Sequence, residues 1–137
     1  MPTAGAPLTT PWLKPLRHQQ IWLALWLLGI FVLVVVCLLP APDLPKVGVN
    51  DKLEHALAFA VLSASGVQLF VRGRVLVMVA IGLLALGIGI ELAQAAFTTT
   101  RAMEGADVIA DAIGICAGML LAWTPLRDVL LHIDGRA

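Results

Sequence analysis

Charged side chains are scarce in this chain. They make up 13% of its 137 residues, against 60% hydrophobic ones, and the mean hydropathy is +0.94. Soluble domains carry roughly 25% charge and about 45–50% apolar residues. The chain therefore reads as a membrane protein, and a large soluble catalytic domain is excluded. An excess of either sign is missing too. Nine Lys/Arg balance nine Asp/Glu, which excludes a strongly basic nucleic-acid binder. Cysteine is limited to Cys37 and Cys116. Cys37 falls near the end of the first apolar run, and Cys116 about ten residues into the last, roughly 15 Å deeper at the helical rise. Thiols at such different depths do not meet disulfide geometry, so both read as small core-filling residues. Internal repeats, coiled-coil heptads and low-complexity tracts are absent as well.

What the chain does have is long apolar stretches. A membrane-crossing helix needs roughly 20 mostly apolar residues. The pattern predicts four, at about 21–39, 53–71, 75–97 and 105–124. The expected fold is thus all-α, an integral membrane four-helix transmembrane bundle spanning residues 21–124. A cleaved signal peptide is the rival for the first run. That run is longer than a signal core and is followed by Pro40-Ala41-Pro42 rather than a small-residue cleavage site, so an uncleaved helix is the better reading. The last span is weakened by Asp107 and Asp111 and stopped by Pro125. Residues 1–20, with Pro2, Pro7, Pro11 and Pro15, read as a mobile N-terminal tail with an interfacial end. Residues 40–52 read as an extended outer loop. Residues 125–137 form a polar C-terminal tail in which 126–136 has room for a short surface helix.

The positive-inside rule orients the chain. With four spans, the two tails and the Arg72/Arg74 turn share a side. Lys14, Arg17, Arg72, Arg74, Arg127 and Arg136 lie there, against Lys46, Lys52 and Arg101 opposite. Six against three puts both termini in the cytoplasm, in an inner (cytoplasmic) membrane. Trp22 and Trp123 then share the cytoplasmic boundary, where tryptophan is common. The zero net charge splits accordingly, into seven acids against three bases outside (−4) and six bases against Asp128 and Asp134 inside (+4).

Adding depth to this topology brings polar residues together. Asp51, Lys52, Glu54 and His55 begin the second span. Glu91 and Gln94 end the third, Arg101 lies in the short loop after it, and Glu104, Asp107 and Asp111 begin the fourth. All lie near the outer surface. Asp51 and His55 are four apart and share a helix face, as do Asp107 and Asp111. Gly114 and Gly118 continue that second stripe, and small residues at this spacing let helices approach closely. Gly82, Leu86 and Gly89 suggest a similar contact on the third span. Ionisable groups inside a membrane default to function because an unpaired one costs about 2.5–3.5 kcal/mol at mid-depth. The candidate binding set is Lys52, His55, Glu91, Gln94, Arg101, Asp107 and Asp111. His55, Glu91 and Asp107 are the candidate acid/base residues, and Arg101 is the bidentate partner expected for a carboxylate. The bland alternative is a polar clasp in which the same groups merely neutralise one another. His and carboxylates are also metal ligands, but no metal-specific spacing such as H-E-x-x-H is present, so no metal and no cofactor is expected.

Asp51-Lys52-x-x-His55-x-x-x-Phe59, then Glu91-x-x-Gln94, then Arg101 and Asp107, resemble the VanZ-like membrane family over about residues 50–120. The family often carries Asn followed by Gly on its last helix, where this chain has Asp111 with Gly114 after it. The resemblance implies a small multi-span bacterial membrane protein with a cell-envelope role. It carries over His55, Glu91, Gln94, Arg101 and Asp107 as the family site. The family's namesake is linked to resistance to the glycopeptide teicoplanin, so the resemblance also implies a bearing on antibiotic resistance.

Three functions follow as expectations. The first is binding or modifying a membrane lipid or lipid-linked envelope component. Enzyme activity stays open in this reading, because an acid/base pair is present but no nucleophile motif; Thr98-Thr99-Thr100 reads as loop polarity. The second is a structural subunit, a homo-oligomer or a docking site for a partner membrane helix, using the glycine stripes. The third is a proton- or cation-coupled transporter component, motivated by the acidic excess and Glu91. The inner halves of the spans offer such a pathway almost no ionisable residues.

Overall fold

The computed structural model describes residues 10–40, 50–99 and 104–135. Among them the regular elements are helices, with isolated bridge positions at Leu13, paired with Phe70, and at Leu16. Four long helices, α1 (Gln19–Leu38), α2 (Asp51–Leu69), α3 (Arg74–Phe97) and α4 (Gly105–Met119), are followed by two 3-10 turns, Leu120–Trp123 and Pro125–Asp128, and by the short α5 (Val129–Asp134).

Local chemistry sets the boundaries. Asn50 caps α2 by accepting the amide of Lys52 at 3.0 Å, a standard way to satisfy a free helix donor. Asp51 and Glu54 in the first turn suit the positive end of the helix dipole. Gly73 precedes α3 at φ +89°, a conformation L side chains rarely adopt, and so allows the tight turn out of α2. Pro125 occupies the first position of a 3-10 turn, where its missing N–H costs nothing.

Consecutive long helices run antiparallel. The indole of Trp26 on α1 donates to Leu62 O on α2 at 3.0 Å, and Gln94 at the end of α3 reaches Cys37 O at the end of α1. α2 and α4 therefore run parallel, and their contact is the closest in the molecule. A Cβ at Gly114 would collide with the backbone of Ala56, and one at Gly118 with Ser63 and the backbone of Ala60 and Ala64. Asp107, Asp111, Gly114 and Gly118 all face inward, as their spacing predicts. On α3 the close approach is at Gly87. It is not at Gly82 or Gly89, where an added Cβ would meet nothing within 4 Å. The reason is rotational: Gly87 shares the buried face of Leu83, Ile90, Glu91 and Gln94.

Among the described residues, three helices are long and apolar enough to cross a membrane: α1, α3, and α4 with its 3-10 extension, Gly105–Trp123. α2 is not among them, because its polar first turns dilute its apolar content. α1 leaves Ile21, Leu25, Leu28, Phe31, Val32 and Val35 exposed, an apolar surface that water would not tolerate in this extent.

The start of the chain departs from expectation. Residues 10–18 are not a loose tail. Leu13 and Leu16 are buried in one apolar cluster with Val67, Phe70, Leu76 and Ala122, and the Lys14 amide donates to Leu69 O at 2.9 Å. Lys14 Nζ donates to Arg127 O at 2.6 Å and to Asp128 Oδ1 at 2.9 Å, tying the beginning of the chain to its end. The apolar Leu13 and Leu16 between the prolines supply the anchoring. Cys37 is buried as expected, whereas Cys116 is exposed, because it points away from the Gly114–Gly118 face.

Candidate functional site

The N-terminal turns of α2 and α4 and the C-terminal turns of α1 and α3 meet at one pole. His55, Glu91, Asp107 and Asp111 are all buried there. His55 Nδ1 bonds Asp111 Oδ1 at 2.9 Å, linking α2 to α4. The other Asp111 oxygen, Oδ2, sits where a Cβ at residue 87 would be, so Gly87 makes the room for it. Glu91 Oε2 accepts the backbone N–H of Glu104 at 3.0 Å, which closes the start of α4 onto α3.

Lys52 Nζ donates to Glu104 Oε2 at 2.8 Å and stands 3.8 Å from Asp107 Oδ1. The ammonium of Lys52 holds the exposed Glu104 carboxyl below its ordinary range, through its hydrogen bond first and its charge second. Three buried carboxylate oxygens, Glu91 Oε1, Asp107 Oδ1 and Asp111 Oδ2, have no hydrogen-bond partner among the described residues. A buried acceptor left in this state is costly and calls for an explanation.

Beside His55 a cleft of about 130 Å³ opens between α1 and α2. Leu33, Val36, Cys37 and Ala58 form its apolar wall, and Asp51, Glu54 and His55 its polar one. One ligand atom from each of Asp51, His55 and Asp107 lies within 4.8 Å of the others.

Of the residues the sequence singles out, Lys52, His55, Glu91, Asp107 and Asp111 come together at this pole. Gln94 does not join them. Its amide donates to Cys37 O at 2.8 Å and so fastens α3 to α1. Arg101 lies outside the described residues. The sequence reading puts Asp51 in the polar cluster and on the face of His55 but leaves it out of the candidate binding set. It also misses Gly87, whose part depends on packing that no local pattern reveals.

Comparison with known proteins supplies no relative: no protein-family model matches the chain, and no curated protein or solved structure matches it.

Proposed function

We propose that this chain is a multi-pass, VanZ-like protein of a bacterial inner membrane that binds the headgroup of an envelope lipid or glycolipid at its acidic pole. In this reading α2 crosses the bilayer with α1, α3 and α4, both termini are cytoplasmic, and the acidic pole faces outward. The 19 residues of α2 span roughly 28 Å at the helical rise, close to the thickness of a hydrocarbon core. Its exposed Leu53, Leu57 and Val61 make an apolar stripe suited to lipid, while its polar residues turn toward α4. The basic residues at the opposite pole support the orientation.

The observation that carries the reading is the cleft with one apolar and one acidic wall. An acyl chain suits Leu33, Val36 and Ala58, and a headgroup suits Asp51, Glu54 and His55. Lys52 is already matched by Glu104, and the free atoms nearby are acceptors. The favoured headgroup is therefore rich in donors, such as sugar hydroxyls or an amine, rather than a bare phosphate. Through the VanZ-like resemblance the reading extends to glycopeptide susceptibility. The glycine stripe of α4 gives the partner-helix alternative little support, because α2 of the same chain already covers it.

Filling the cleft tests the proposal. Val36→Trp fills it from the apolar wall on α1 and replaces none of the acidic residues. Lipid co-purifying with the full chain in mild detergent is quantified by mass spectrometry. The wild type is expected to enrich one headgroup class, and the variant to lose that enrichment. Matching lipid profiles in the two proteins would remove the basis for the reading.

A further inference from the structure

We propose that Asp51, His55 and Asp107 form a binding site for one divalent first-row metal ion, Zn²⁺ foremost and Mn²⁺ next. This goes beyond the headgroup reading; it shares Asp51 and His55 with the polar wall of that cleft but rests on its own observations.

Asp51 and His55 lie one turn apart on α2, and Asp107 comes from the first turn of the parallel helix α4. One ligand atom from each falls within 4.8 Å of the other two. Ligands about 2.0–2.2 Å from a tetrahedral Zn²⁺ stand roughly 3.3–3.6 Å apart, so a pair at the 4.8 Å limit must close by about 1 Å. Asp51 is exposed on the first turn and has the rotamer freedom to provide it.

Two independent observations point to a cation. Asp107 is only 4% exposed, yet its Oδ1 accepts no hydrogen bond from any described residue. Lys52 Nζ is at ion-pair distance, 3.8 Å, but beyond hydrogen-bond reach, and its hydrogen bond goes to Glu104. Second, Asp111 Oδ1 takes Nδ1 of His55 at 2.9 Å. A carboxylate on one ring nitrogen orients the imidazole and raises the basicity of the other, the arrangement commonly found behind a metal-bound histidine. It leaves Nε2 as the nitrogen with a lone pair to give.

One imidazole and two carboxylates suit Zn²⁺ and Mn²⁺ better than Ca²⁺ or Mg²⁺, which favour all-oxygen shells. Three protein ligands leave a coordination position open to water or to an oxygen of a bound molecule.

The test uses the untagged full chain in detergent, stripped with EDTA and titrated with ZnCl₂ and MnCl₂ by calorimetry. Expected is one saturable ion per chain. Asp51→Asn, at an exposed position where folding is not at stake, weakens it more than about tenfold, and Asp111→Asn weakens it about tenfold or more without abolishing it. The two sites share Asp51 and His55, so ion titration and lipid profile are read separately on the wild type: saturable ion binding without lipid enrichment upholds this site alone, and lipid enrichment without ion binding upholds the headgroup reading alone. Absence of saturable binding, or equal binding by wild type and Asp51→Asn, overturns the proposal.

Discussion

His55 and Asp111 show how a residue's neighbours decide its role. A histidine and an aspartate buried in apolar surroundings are each unfavourable alone, and a charge in a helix core is normally paired. Here each satisfies the other at 2.9 Å, and Gly87 leaves space for the second carboxylate oxygen. Asp111→Ala would strand the ring nitrogen of His55. Removing one partner from a buried charged hydrogen bond costs about 2 kcal/mol. A loss near that size is expected in denaturant titrations of the detergent-solubilised protein. A change below roughly 0.5 kcal/mol, the range of neutral surface substitutions, would show that the pair holds nothing together.

The parallel contact of α2 and α4 depends on glycine rather than on side-chain fit. At Gly118 any Cβ would meet Ser63 and the α2 backbone, and backbone cannot rotate away. Gly118→Ala must push the two helices apart, at a cost of roughly 3 kcal/mol, the upper part of the range for overpacking. Gly82→Ala, with nothing nearby, is expected to be neutral or slightly stabilising, since alanine favours helix more than glycine does. Unfolding midpoints of the two variants measured side by side check this, and equal midpoints would refute the glycine contact. The stripe of Asp107, Asp111, Gly114 and Gly118 was legible because the 3.6-residue period puts all four on one face. The choice between Gly82, Gly87 and Gly89 was not, because all three lie on a helix that is apolar nearly all round.

Among the described residues, charge gathers at two poles, one with an excess of acids and one with an excess of bases, and pH acts on them differently. At the basic pole Asp128 is held below its ordinary range, first by the hydrogen bond from Lys14. Burial alone would raise Asp134, but hydrogen bonds from the side chain and backbone of His18 prevail and bring it to about 2. A carboxyl whose folded value lies below its unfolded one, about 3.9, stabilises the fold above that unfolded value. The stabilisation is lost as pH falls through the folded one. α5 is therefore expected to loosen as pH drops from about 4 toward 2, seen as faster amide exchange over Val129–Asp134. Asp134→Asn should remove most of that dependence, and an unchanged profile would locate its cause elsewhere.

Read alone, the chain shows that it is helical and membrane-suited, roughly where its four long helices lie, and that acids are in excess toward one end of them and bases toward the other. Apolar run length, helical period and punctuation by proline and glycine are local properties, and they need no knowledge of the fold. Only the tertiary structure decided that Gln94 turns to Cys37, that Glu91 holds the Glu104 amide, that Asp51 stands near Asp107, and that Leu13 and Leu16 anchor the start of the chain. Each of these joins residues far apart in the chain. Their meeting depends on how four helices rotate and settle against one another, and here that is governed by how closely glycine lets α4 approach α2.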